Sequence, residues 1–140
     1  MPLEQSKALT ILIAEDDELV AAQLRINLEL VGVTNVAVVS NGLDALETMN
    51  ERGREIDVVF CDLNMPEMNG IELINSLGEL NHQAKIVLIS GSDKGLLQGS
   101  ARIADARGLD VLGVLEKPIE VVQLKDLVDQ FVNSTVQEDL

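Results

Sequence analysis

Several polar side chains in this sequence stand where short apolar runs end, and together their types suggest one chemistry. Glu15, Asp16 and Asp17 follow the run at 9–14 (LTILIA), and Asp62 follows the run at 56–61 (IDVVFC). Ser90 follows 85–89 (KIVLI), and Lys117 comes just after 111–115. If Glu15, Asp16 and Asp62 converge, three carboxylates repel one another and raise each other's pKa. A divalent cation relieves that repulsion. Oxygen donors with no His or Cys nearby favour magnesium or a similar hard ion over zinc. Lys117 and Ser90 then suit the oxygens of a transferred phosphoryl group, and one carboxylate is left as nucleophile.

Convergence depends on the elements that carry these residues. Each run is apolar at successive positions, as expected of a strand covered on both faces. After each run the period lengthens. Val20, Leu24, Leu28 and Val31 fall at helical spacing before Gly32, and Leu43, Leu46 and Met49 follow the second strand, Asn35–Val39. Residues 63–70 (LNMPEMNG) read as a loop by their Asn, Pro and Gly, and a short helix carrying Ile71, Ile74 and Leu77 follows. A helix over 94–107 is weakened by Gly95 and Gly99, and Gly113 interrupts the fifth strand. The last helix covers about 120–132 with Leu124, Val128 and Phe131 as its buried stripe, and residues 133–140 read as a frayed tail. Five strand-then-helix units imply an α/β fold, a doubly wound parallel sheet with helices on both faces. Ligands in such folds sit at the carboxyl ends of strands, where all these polar residues lie.

Composition narrows the field. Of 140 residues, 10 are Lys or Arg and 24 are Asp or Glu, a net charge of −14 that argues against a nucleic-acid groove. Phe60 and Phe131 are the two aromatic residues, too few for base stacking. The hydrophobic fraction of 46% argues against disorder. The single cysteine, Cys61, fits a reducing compartment. With no secretory signal pattern at the start and no apolar run approaching the roughly 20 residues of a membrane helix, the expectation is a cytoplasmic, soluble chain without membrane contact.

Each residue also has a plainer reading. Asp16 and Asp17 are acids at a helix start, and Asp17 is the better capping candidate. Asp62 could be a turn residue, Ser90 a loop serine and Lys117-Pro118 a turn. Cys61 reads as core, with nothing basic beside it in sequence. His82 reads as solvated, and Met65 and Met68 as loop packing.

With the motifs ILIAEDDE, CDLNMPEMNG, VLISGS and VLEKPI in order at four strand ends, the chain resembles a two-component response-regulator receiver domain over about residues 9–132. The resemblance implies a flavodoxin-like sheet of strand order 2-1-3-4-5, with residues 1–8 as an N-terminal extension. It implies that Asp62 takes a phosphoryl group from a phosphohistidine, with Mg2+ bound by Glu15, Asp16, Asp62 and the backbone carbonyl of Asn64. Ser90 and Lys117 would contact the phosphoryl oxygens. The implied partners are a sensor histidine kinase or phosphotransfer protein, then an output domain or separate effector, with a homodimer as a further option. Such a chain is a signalling domain, not an enzyme, and catalyses only its own phosphorylation and dephosphorylation. The Lys117–Pro118 peptide is expected to be cis, because the lysine must turn back to the site as the chain leaves for the last helix.

Two features depart from that pattern. Receivers usually carry Tyr or Phe three positions before the lysine, where this chain has Val114, so the signal is expected to run through the fourth helix instead. The stretch between Ser90 and Lys117 is also longer than in an ordinary receiver. Its ending, GLDVLGVLEKPI, is similar to receivers found ahead of EAL-type cyclic-di-GMP phosphodiesterase domains. The alternatives are an aspartate-nucleophile phosphohydrolase of haloacid-dehalogenase type, disfavoured because Asn64 cannot transfer protons, and a degenerate receiver acting only as a binding module. A nucleotide-binding domain would show G-x-G-x-x-G after the first strand, and this chain does not.

Overall fold

The computed structural model describes residues 9–65, 68, 70–80, 82–91 and 94–139. The extension assigned to residues 1–8 lies outside them, as do Pro66, Glu67 and Asn69 of the loop motif. Five strands, β1 (Thr10–Ala14), β2 (Asn35–Val39), β3 (Val58–Asp62), β4 (Lys85–Ser90) and β5 (Asp110–Glu116), alternate with five helices. The helices are α1 (Glu18–Leu30), α2 (Gly42–Arg52), α3 (Gly70–Leu77), α4 (Lys94–Ala106) and α5 (Val121–Asp139). All strand pairs are parallel, in the order β2-β1-β3-β4-β5. This is the doubly wound, flavodoxin-like sheet expected from the sequence.

The two faces follow from the alternation of side chains along each strand. Leu12 and Ala14, Val59 and Cys61, and Ile86 and Leu88 pack with residues of α2, α3 and α4. Ile11 and Ile13, Val58 and Phe60, and Val87 and Ile89 pack with Leu24 and Leu28 of α1 and Leu124, Leu127 and Val128 of α5. The central strands are apolar at successive positions because both faces are covered, and each fully buried aliphatic side chain contributes about 1.5–3 kcal/mol.

β5 departs from this regularity. Val111 pairs with Ile86 but Gly113 pairs with Val87, so Leu112 is an extra residue bulging from the ladder. The bulge reverses the alternation. Val111 faces the α2–α4 side and Leu112 the α1/α5 side, and Leu115 also packs on the α1/α5 side. A Cβ at Gly113 would lie 2.5 Å from Leu127 Cδ2, so any larger residue there would require the Leu127 side chain to shift.

Local chemistry sets the element ends. Asp17 Oδ1 accepts from the backbone N–H groups of Leu19 (2.9 Å) and Val20 (3.2 Å), the N-cap expected of it. Gly32, at φ 96°, closes α1 as Val33 N donates to Leu28 O at 2.9 Å. At the opposite edge of the sheet from the candidate site, Asp57 Oδ2 accepts from Thr10 N at 2.8 Å. Arg25 Nη2 reaches the exposed edge strand and donates to Val36 O at 3.1 Å.

Four details differ from the sequence reading. Leu43 is 53% exposed and Leu46 only partly buried; of the expected stripe Met49 is buried, and the covered face of α2 runs through Gly42, Ala45 and Met49, turned round the helix from Leu43. Leu127 joins Leu124 and Val128 in the core, while Phe131 is only half-buried. α5 continues through the supposed tail to Asp139. His82 is not simply solvated. Its Nδ1 accepts from Ala84 N (3.2 Å), so the tautomer that serves both contacts donates from Nε2 to Leu77 O (3.1 Å).

Two glycines give a paired test. A Cβ on Gly70 would sit 2.5 Å from Leu63 Cα and 3.1 Å from Asp62 O, whereas one on Gly99, within α4, would meet nothing within 4 Å. Gly70→Ala is therefore expected to lower the urea unfolding midpoint, at a cost of about 1–3 kcal/mol. Gly99→Ala should raise it, by up to about 1 kcal/mol. Shifts in the same direction would contradict this account of the space around them.

Candidate functional site

The sheet carries Glu15, Asp62, Ser90 and Lys117 to one edge because β1, β3, β4 and β5 end in register there. Leu63 N donates to Ile89 O at 2.9 Å and Lys117 N donates to Ser90 O at 2.9 Å, so the backbone stays tied one residue beyond each strand. Glu15, Asp62 and Ser90 are each 1% exposed, while Asp16 and Asn64 face solvent. One carboxylate oxygen from each of Glu15, Asp16 and Asp62 lies within 4.8 Å of the others. The three acids that the sequence singled out do converge.

Lys117 joins this cluster from the far strand. Its Nζ lies 2.9 Å from Glu15 Oε1 and 3.3 Å from Asp62 Oδ2. The peptide after it, Lys117–Pro118, is cis, as expected. Asp62 Oδ1 accepts from Asn64 N at 3.0 Å, and Glu15 Oε2 accepts from Asp17 N at 3.1 Å. Glu15 Oε1 is buried and, despite the nearby ammonium, makes no hydrogen bond. The contact with Lys117 is thus an ion pair by distance and charge, without a directed N–H to that oxygen.

Burial dominates the electrostatics. It pushes the Glu15 carboxyl up to about 7, reinforced by the Asp62 carboxylate and opposed by Lys117. The repulsion foreseen from the sequence is present but is the smaller cause. Burial by itself would lower the Lys117 pKa, but the adjoining Glu15 and Asp62 carboxylates outweigh it and hold the ammonium above its ordinary value. Cys61, wholly buried beside Asp62, is pushed up to about 12 by burial, which excludes it as a nucleophile and agrees with the core reading. A buried glutamate oxygen without a hydrogen bond, in a set of oxygen donors only, fits a hard divalent cation.

The comparisons with known proteins agree with this arrangement. The family model for the response regulator receiver domain matches residues 11–129. The chain belongs to the response-regulator receiver family. Receiver domains serve two-component signalling and bind magnesium at an acidic site of this kind. The chain is 32% identical over 135 residues to the regulator of RpoS of Escherichia coli K12, covering 92% of this chain and 38% of that protein. It is 32% identical over 127 residues to the sensor kinase CckA of Brucella abortus, covering 91% of this chain and 13% of that one. The chain thus spans well under half the length of either relative. A response regulator of Colwellia psychrerythraea, solved by crystallography, superposes with a TM-score of 0.76 at 30% identity, covering 91% of this chain and 99% of that one.

Neither alternative reading finds support. The haloacid-dehalogenase reading needs an acid at position 64, and Asn64 instead donates its backbone N–H to Asp62. A degenerate receiver would lack part of the charged set, and Glu15, Asp16, Asp62 and Lys117 all reach the site. The sequence reading took Met68 as loop packing but did not name what it packs against. Met68, in the loop after Asp62, lies where a Cβ on Gly42 would meet its Cγ at 2.8 Å, so the loop rests on the first residue of α2. A glycine at a helix start is the signal that could have revealed this contact.

The Glu15 shift fixes the sign of a pH effect. A carboxyl whose folded pKa (about 7) exceeds its ordinary value (4.5) gives stability present below the ordinary value and lost as pH rises through the folded one. In the presence of a chelator, the thermal midpoint is therefore expected to carry a Glu15-dependent fall between about pH 4.5 and 7. Glu15→Gln should remove that component. An identical pH profile for the variant would contradict the burial-driven shift.

Proposed function

We propose that Asp62 is the phosphoacceptor of this receiver. The observation that carries the reading is a lysine ammonium spanning two buried carboxylates, with a third carboxylate at the rim. One Asp62 oxygen attacks the phosphorus of a phosphohistidine. The P–N bond breaks, the imidazole leaves and takes up a proton, and an acyl phosphate remains on Asp62. Lys117 neutralises charge on the phosphoryl oxygens, and Ser90 on the adjacent strand offers its hydroxyl to them. Glu15, Asp16, Asp62 and the Asn64 carbonyl are the residues that would hold Mg2+, which when bound supplies positive charge to the transferring group.

The donor is a sensor histidine kinase or a phosphotransfer protein. The phosphorylated chain acts on an output domain or a separate effector, and the GLDVLGVLEKPI stretch favours an EAL-type output. A homodimer is the other candidate for readout. The only chemistry assigned to residues 9–132 is formation and loss of the acyl phosphate, so the chain is read as a signalling domain and not an enzyme. A cytoplasmic location is supported by the single, buried, free cysteine. It also accords with the absence, among the described residues, of any helix long and apolar enough to cross a membrane.

Incubation with acetyl phosphate should add one phosphoryl mass in the presence of magnesium and none in its absence. Asp62→Asn should abolish the addition. Undiminished incorporation in that variant would refute the assignment.

Val114 offers no ring to swing and is 47% exposed, so readout is assigned to α4. Amide hydrogen exchange with beryllofluoride, a phosphoryl mimic, is expected to change most between residues 90 and 112. Changes confined to α1 and α5 would place the readout elsewhere.

A further inference from the structure

Among the described residues, two buried side chains carry a polar atom without a hydrogen bond. One is Glu15, within the site, and the other is Ser100, remote from it. Ser100 lies in the middle of α4, on the same buried face as Leu97 and Ala104, and is wholly inaccessible to solvent. Its hydroxyl has been withdrawn from water without any replacement, so in this seating of the helix serine is worse than alanine. Any seating that gives the hydroxyl an acceptor recovers that loss.

The rest of α4 is built to allow a second seating. Its far end is held: Arg107 Nε donates to Asn75 Oδ1 at 3.0 Å, tying it to α3. Leu109 N also donates to Ala104 O at 2.9 Å, with Gly108 at φ 79°. The end nearer the site carries Gly95, which weakens its first turn relative to alanine. The sheet surface alongside is not filled. Val114 pairs with Leu88, which packs on the α2–α4 side, so Val114 faces that side and remains half-exposed.

We propose that Ser100 is a positioning residue: its unpartnered hydroxyl destabilises the resting seating of α4, which pivots about its Arg107 end, and so narrows the gap that phosphorylation must close. The proposal rests on the assignment of Asp62 as phosphoacceptor. A binding-competent state that is only partly populated weakens apparent affinity by its fractional population. Removing the hydroxyl favours the resting seating and makes that fraction smaller.

The test is a beryllofluoride titration, with magnesium, of the full chain as wild type, Ser100→Ala and Gly99→Ala, followed by α4 amide signals and paired with urea unfolding. Ser100→Ala should raise the urea midpoint and weaken apparent beryllofluoride affinity about tenfold, the equivalent of about 1.4 kcal/mol. It should still accept one phosphoryl group from acetyl phosphate. Gly99→Ala, which stiffens the helix but leaves the hydroxyl in place, should raise the urea midpoint without changing the affinity. A lower urea midpoint in Ser100→Ala would mean that the hydroxyl has a partner at rest, and would overturn the proposal. So would equal weakening in both variants, or wild-type affinity in Ser100→Ala. If wild type takes no phosphoryl group on Asp62, the phosphoacceptor assignment fails and the proposal falls with it. If it does while Ser100→Ala titrates like wild type, the role of Ser100 alone is wrong.

Discussion

Concentrating negative charge where water is scarce is the constraint on which this molecule turns. Glu15 and Asp62 are almost wholly buried and lie within contact of the same ammonium, on Lys117. Removing one member of such a group leaves uncompensated charge in the interior, so the three must arrive together. They come from β1, β3 and β5, with β4 between the last two. The parallel register and the backbone bonds just beyond the strands, Leu63 to Ile89 and Lys117 to Ser90, are what make the encounter reproducible.

The sequence made the strand ends readable because polar residues stop apolar runs abruptly, and a parallel sheet collects such ends along one edge. Glu15, Asp16, Asp62 and Lys117 could therefore be assigned to one place before any coordinates. Asp17 could be recognised as a cap for a similar reason, since its type and its place before a helical stripe suffice. Packing between distant segments was not readable in this way. Leu43 fits a helical stripe as well as Ala45 does, and the face that α2 turns to the sheet and α3 decides which is covered. His82 lies in a polar loop, and nothing in its neighbours in sequence indicates that Leu77 and Ala84 bracket its ring. Ser100 was not singled out in the sequence, and whether a serine hydroxyl on a buried helix face finds an acceptor is a matter of ångströms.

β5 shows how a departure from regularity can serve the whole. Without the bulge at Leu112, Val111 and Gly113 would share one face and the strand would reach the site edge in the opposite phase. With it, Gly113 accepts the close approach of Leu127, and Leu115 enters the core beneath α5. The interruption that weakens the strand pattern in sequence is thus part of what seats the last helix and aims the residues that follow, Lys117 included.

The order of strands has a kinetic consequence. β1 pairs with β2 on one side and β3 on the other, and the second pairing must skip over β2 and α2. Loop closure over the longer stretch is entropically harder, and non-local pairing slows folding. The β1–β3 seam is therefore expected to join after β1–β2 and β3–β4 have formed. Glu15 and Asp16 lie on one side of that seam and Asp62 on the other. Competence to bind a divalent cation should consequently appear only when the two halves have met, which would make metal affinity during refolding a clock for the final assembly of the domain.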